Sequence, residues 1–253
     1  MTYIEINGSP ATADTLRLPA LSSYGHFTAM QIRNARVRGI ALHLERLRSA
    51  TRELFDGDLD DDRVRADIRH ALSAADVRDA SLRAYVYWPE GDERATLMVT
   101  VRPPQTMSTE PKSVMSVPYV REVPHIKHLG GFGQNHYLTA AHRAGHDEAL
   151  LTDPQGVVAE GAITNIAFWD GTSVIWPDAP SLRGITMALL EPRLPSTRRP
   201  VTLADLSSYR SAFLTNSQGF APVRRIDEVE YTVDDELMGR VGAAYEAVEW
   251  DAI

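Results

Sequence analysis

Alternating apolar and polar positions open the chain. Tyr3 to Asn7 has the period of a short strand, and HFTAMQIRNARVRGI, from His26 to Ile40, reads as two strands about a turn at Asn34. The period then lengthens. Ile40, Leu44, Leu47 and Leu54 recur at helical spacing, and Val64, Ile68 and Leu72 do so again behind an acidic start at Asp60 to Asp62. LRAYVYW and TLMVTV return to the strand pattern on either side of PEGDERA. Residues 1–102 therefore predict a small domain in which a sheet carries two helices.

PPQTMSTEP, residues 103–111, holds three prolines and no apolar period, which predicts an interdomain linker. A second, larger domain is expected over 112–253. It starts with the strand VMSVPY and the helix QNHYLTAAHRA, ended at Gly145, and continues in a run of strands through EALLTD, VVAEGAITNIAFWDG and SVIWP. TMALLEPRL predicts a helix and SAFLTNS another strand. Thr232 is the expected cap of a final helix carrying Leu237, Val241 and Tyr245. The fold class predicted is α/β (α+β) in two domains, with a cleft between them as the expected ligand site.

Composition narrows the chemistry. The 253 residues include no cysteine, which removes disulfides, thiolate metal sites and cysteine nucleophiles together. The formal charge of −8 argues against nucleic acid as a partner, because phosphate backbones are bound by clustered Lys and Arg. No apolar run approaches the roughly 20 residues of a membrane helix, and the opening MTYIEINGS lacks the basic and apolar regions of a secretory signal. A cytoplasmic protein without a membrane partner is the expectation.

Against that background a few polar residues stand out. Lys127 lies between a strand and a helix in IKHLGG, an apolar and glycine-rich setting that favours a neutral, nucleophilic amine. Glu160 ends the alternating stretch Val157 to Ala159 and precedes Gly161, so its carboxylate projects at a strand end. In LRGIT, Leu182 to Thr186, Gly184 lets the backbone turn so that the N–H groups of Ile185 and Thr186 point at an anion, with the Thr186 hydroxyl beside them. Asn216 and Ser217 in LTNSQGF can add donors, and Arg46 in HLERL offers a planar fork suited to phosphate. Taken singly, these are also a surface lysine, a loop acid, plain turns and a surface arginine. GGFGQNH lacks the endings of the dinucleotide and P-loop signatures. His142 and His146 could share a helix face but Gly145 intervenes and no HExxH occurs, so no metal site is expected.

In order and spacing, YGHFTAMQIRNARV, HLERL, LRAYVYW, IKHL, AGHDEALLTDPQGVVAEGAITNIAF, LRGIT and FLTNSQGFAPVRRID together resemble the class IV (fold-type IV) pyridoxal-phosphate enzymes. These comprise branched-chain and D-amino-acid aminotransferases and aminodeoxychorismate lyase. The resemblance spans nearly the whole chain. It implies a small α/β sandwich domain and a larger sheet-rich, barrel-like domain with the active site between them, in a homodimer. It makes Lys127 the Schiff-base lysine and proton carrier and Glu160 the partner of the pyridine nitrogen. Arg46, Ile185, Thr186, Asn216 and Ser217 would hold the phosphate of pyridoxal 5′-phosphate. Arg83, His26, Thr28 and Trp88 would form the substrate end.

The chain departs from the family there: GDGxFET is replaced by YGHFTAM, Trp88 stands where some D-amino-acid enzymes have arginine, and Met187 follows LRGIT where arginine is common. The resemblance implies an aminotransferase acting on amino and keto acids. The alternatives are a lyase that eliminates pyruvate, to which KHL, the FT pair Phe27–Thr28 and LTNS lean, and a relative without cofactor or catalysis.

Overall fold

The structure is a computed structural model and describes residues 2–253. The chain forms two compact units: the first takes the residues up to Gln105 together with Ile126–Gly130 and Glu249–Ile253, and the second takes Thr106–His125 and Gly131–Val248. Proline-rich residues 103–111 carry no strand or helix. Two short segments from far along the chain thus join the first unit, which no break in composition announces.

In the first unit, β1 (Tyr3–Ile6), β2 (Ser9–Pro10), α1 (Arg17–Leu21), β3 (His26–Ile32), β4 (Arg36–Arg38), α2 (Ile40–Phe55), α3 (Asp61–Ala74), β5 (Ala80–Tyr87) and β6 (Thr96–Arg102) follow one another. The antiparallel sheet has the order β2-β1-β6-β5-β3. The turn foreseen at Asn34 is made by Asn34 and Ala35, both in the left-handed region at φ 51° and 57°, the geometry of a two-residue hairpin. Side chains alternate across each strand. Met30, Ile32, Leu82, Ala84 and Val86 face the helices and share one core with Leu44 and Leu47 of α2 and Val64 and Ile68 of α3. Each leucine, isoleucine, valine or methionine among them, fully buried, contributes about 1.5–3 kcal/mol.

Helix α3 begins where the acidic start placed it: the Asp60 carboxylate accepts the N–H groups of Asp62 and Arg63. Helix α2 follows Gly39, at φ 70°, which has no side chain to cap it. Its first N–H, on Ile40, instead donates to Asp251 at 2.9 Å. Asp251 lies in a strand, Trp250–Ala252, that pairs antiparallel with β4, and Arg65 and Arg69 of α3 donate to the carbonyls of Ala252 and Ile253.

The second unit contains β7 (Lys112–Pro118), α4 (Phe132–Arg143), β8 (Glu148–Thr152), β9 (Val158–Gly161), β10 (Asn165–Trp169), β11 (Val174–Pro177), α5 (Ile185–Leu190), β12 (Ser196–Arg199), β13 (Ser211–Asn216), β14 (Gly219–Ile226), β15 (Val229–Glu230) and α6 (Asp235–Glu246). The sheet runs β12-β11-β10-β13-β14-β7-β8-β9, with β15 on β14. Four strands separate β9 from β10 in that order, yet only residues 162–164 connect them in the chain. The sheet must therefore curl until its β9 edge returns to β10, a half-closed barrel.

Its two faces are both covered, which explains why β10 is buried throughout. Ile166 and Phe168 point into a core with Leu150, Leu214 and Val223, whereas Ala167 and Trp169 pack with Met187 and Leu190 of α5 and Leu237 and Val241 of α6. Parallel β7 and β8 are joined through α4, as a parallel crossover requires. The cap of α6 is Asp234, whose carboxylate accepts the Leu237 N–H at 2.9 Å, and not Thr232. Asp234 immediately precedes the first helical residue, and Thr232 stands too far back to reach it.

Candidate functional site

In the first unit, Ile126–Gly130 runs along the outer edge of β3. Phe27 donates its N–H to the Lys127 carbonyl at 2.9 Å, Leu129 donates to Gly25 at 2.9 Å, and His26 and His128 form an isolated bridge. Backbone pairing therefore fixes where the Lys127 main chain stands. Its Nζ lies 4.9 Å from the centre of the Phe27 ring. The Arg83 guanidinium carbon lies 5.6 Å from the same ring, Tyr85 stacks on it at 5.3 Å, and Arg83 Nη1 reaches the Tyr85 hydroxyl at 3.4 Å. An amine, a guanidinium and a phenol thus share one sheet face around an aromatic ring.

His26, Thr28 and Trp88, expected beside a substrate, lie on the opposite face. The alternation that points Phe27, Arg83 and Tyr85 one way turns these three toward α2, with Met30, Leu82 and Val86. His26 Nε2 is 3.0 Å from Thr51 Oγ1, whose hydroxyl donates to the Leu47 carbonyl, so His26 is the donor of that pair. Thr28 Oγ1 is bonded to His43 Nδ1 at 2.6 Å. Trp88 donates its indole N–H to Asp92 and lies against Phe55 and Gly57, where a β-carbon would come within 2.2 Å of the ring. Burial holds His26 down to about 4; burial and then the nearby Arg46 charge hold His43 down to about 3. Both are neutral parts of the framework. Arg46 itself is half-buried on α2, one turn after His43.

In the second unit, Glu160 sits near the end of β9 opposite Leu151 and is 4% exposed. Its Oε1 accepts from Arg121 Nη1 at 2.9 Å and from the Leu182 N–H at 3.2 Å. Leu182 opens the LRGIT turn, and its carbonyl accepts the Asn165 side-chain amide at 2.7 Å. Two residues on, a β-carbon at Gly184 would fall 1.9 Å from Asn165 Oδ1, so only glycine fits the turn. Helix α5 then starts at Ile185, and the first amides of a helix have no carbonyl of their own to bond. The Thr186 hydroxyl donates to the Asn216 carbonyl at 2.6 Å. The donor that Thr186 can give an anion is accordingly its main-chain N–H. Asn216 accepts the Gln218 N–H on its own side chain, and Ser217 and Gln218 make the tight turn between β13 and β14. Glu160, LRGIT and Asn216–Ser217 are thus linked through the bonds of one unit.

Four residues of these two clusters escape the sequence reading. Phe27 and Tyr85 were within its reach, since both share the strand parity of Arg83. Asn165 and Arg121 were not, because the first is one residue of a buried strand and the second lies in a stretch without period. Glu148, at the start of β8, is a further buried acid: it accepts the Ala149 N–H and the Thr164 hydroxyl, and burial pushes it up to about 7 against those bonds.

The family model for amino-transferase class IV matches residues 25–226. No curated protein sequence matches the chain. Among solved structures, a fold IV-transaminase from Curtobacterium pusillum is similar at a TM-score of 0.83 and 20% identity, over 98% of this chain and 99% of that one. A hypothetical aminotransferase from Mycobacterium tuberculosis, solved in a PLP-bound form, gives 0.80 and 19% over 97% and 98%. A putative 4-amino-4-deoxychorismate lyase from Legionella pneumophila gives 0.81 and 18% over 90% and 92%. At these identities the likeness is one of fold, and it extends along both units. With the family model covering most of its length, the chain belongs to the class IV aminotransferase family.

Proposed function

We propose that the chain is a pyridoxal-phosphate-dependent aminotransferase that moves an amino group between an amino acid or amine and a keto acid. The observation that carries this reading is the joint between Glu160 and Leu182: a buried carboxylate bonded directly to the turn that presents the Ile185 and Thr186 amides. A ring nitrogen and a phosphate on one small molecule call for such a pair. The donor set fits that group, since Gly184 closes the turn at a distance no side chain allows and Glu160 is held by two donors.

Glu160 would hold the proton of the pyridine nitrogen. The amides of Ile185, Thr186 and Ser217, with Arg46 and Asn216, would hold the phosphate. When bound, pyridoxal phosphate supplies an aldehyde that accepts amines and a ring that takes up the electron pair left at Cα. Lys127 would provide the amine at that aldehyde, and its Nζ, once free, would carry a proton away from the substrate carbon. Arg83, supported by the Tyr85 hydroxyl, would orient a substrate carboxylate, and the Phe27 ring would shield the lysine from water. Lys127→Ala is expected to abolish both turnover and the visible absorbance that pyridoxal phosphate acquires on the protein. A fully active variant would refute the assignment.

A second reading is an aminodeoxychorismate-lyase-type reaction, in which loss of the same proton leads to elimination of pyruvate. The IKHL and LTNS segments and the likeness to the Legionella protein favour testing it. Incubation with aminodeoxychorismate, assayed for pyruvate and 4-aminobenzoate, separates the two; absence of both products removes the lyase.

A further inference from the structure

We infer that Arg121 is a positioning residue for Glu160, setting the direction and local charge of the carboxylate that would meet a pyridine nitrogen. This rests on the pyridoxal-phosphate reading above. Arg121 follows β7 by a few residues, and its side chain is 4% exposed, beside 6% for Glu160. Two opposite charges so deeply withdrawn from water are costly to separate, because removing one partner of a buried ion pair is strongly destabilising. Arginine meets that need without losing its own proton.

The geometry adds direction to charge. The terminal torsion of a glutamate side chain is broad and nearly two-fold, so a lone carboxylate swings. Here Oε1 is pinned from two sides, by Arg121 Nη1 at 2.9 Å and by the Leu182 N–H at 3.2 Å. Arg121 is itself anchored, since Nη1 also donates to the Pro124 carbonyl at 3.1 Å. Pinning Oε1 fixes where Oε2 points. A carboxylate fixed in this way bonds a ring nitrogen without first being ordered, which is how preorganised partners gain affinity.

A merely structural strut would tie residues 121–124 to β9 and nothing more. The two roles separate when pyridoxal phosphate is titrated into wild type, Arg121→Lys, Arg121→Met, Glu160→Gln and the charge-free pair R121M/E160Q, with melting of each cofactor-free protein measured in parallel. A positioning role predicts that R121M raises the cofactor's dissociation constant about tenfold or more and shifts the visible band of the bound form. It also predicts that R121K recovers part of both changes, and that R121M adds little once E160Q is present. If R121M fails to fold, R121K and the double variant, which buries no unpaired charge, carry the same comparison. Wild-type affinity and an unmoved band in R121K and R121M, or a fully additive penalty on E160Q, would overturn the inference while leaving the cofactor reading standing. Failure of wild type to bind pyridoxal phosphate at all would instead remove that reading, and this inference with it.

Discussion

The side-chain amide of Asn165 donates to the main-chain carbonyl of Leu182 at 2.7 Å, so the first residue of β10 holds the LRGIT turn against the barrel wall. The same asparagine occupies the space a side chain at 184 would need. Asn165→Ala leaves a buried carbonyl unpaired and is expected to destabilise the protein by about 1–3 kcal/mol. It should also weaken pyridoxal phosphate binding. Gly184→Ala forces the turn away from Asn165 and should weaken binding at least as much. Melting curves with and without the cofactor check both, and an unchanged affinity in each variant would detach the turn from the phosphate.

The sheet faces of the first unit make a separate prediction about substrate. Arg83→Met is expected to raise KM for carboxylate substrates about 10-fold or more, the loss of one charged partner. Thr28→Val breaks the bond to His43 on the opposite face and should lower stability by about 1 kcal/mol while leaving KM near wild type. Steady-state kinetics on the two proteins would reverse the assignment of faces if Thr28, and not Arg83, controlled KM.

His26 and His43 give the first unit a sensitivity to acid. Their folded values, about 4 and about 3, lie below the ordinary value of 6.5, so the unfolded chain binds protons that the folded one refuses. Their contribution is full above about 6.5 and is lost as pH falls toward those lower values, at up to about 1.4 kcal/mol per pH unit for each. Urea midpoints measured between pH 7.5 and pH 5 should fall, and His43→Gln should flatten the fall.

Glu148 acts in the other direction. Its folded value of about 7 lies above the ordinary 4.5, so its contribution is full below about 4.5 and is lost as pH rises through about 7. The difference in urea midpoint between wild type and Glu148→Gln should therefore move in favour of the variant from pH 5 to pH 8. A pH-independent difference would mean that the Thr164 and backbone donors offset the burial of the charge completely.

How far the sequence reveals this protein depends on the range of the interaction involved. The hairpin at Asn34, the buried stripes of α2 and α3, the Asp60 cap and the run of strands from Glu148 to Pro177 are set by neighbours a few residues apart, and all are legible. The facing of His26, Thr28 and Trp88 is legible in principle, since strand parity alone separates them from Arg83. What period and composition cannot reveal is pairing between distant segments. Arg121 meets Glu160 across 39 residues, and the Lys127 segment pairs with the edge of a strand 100 residues earlier. The Asp234 cap is obscured for a smaller reason: Thr232, a second residue able to cap, stands two positions away.

The strand Trp250–Ala252 has a temporal consequence. Asp251 supplies the acceptor that Gly39 cannot offer to the start of α2, and Ile253 enters the same core as Ile68 and Leu72. During synthesis these residues follow the whole second unit out of the ribosome. The first unit, although its sheet is translated early, waits through the making of the whole second unit for its final strand, its helix cap and part of its core. Its nascent form is an unfinished domain until that strand has been made.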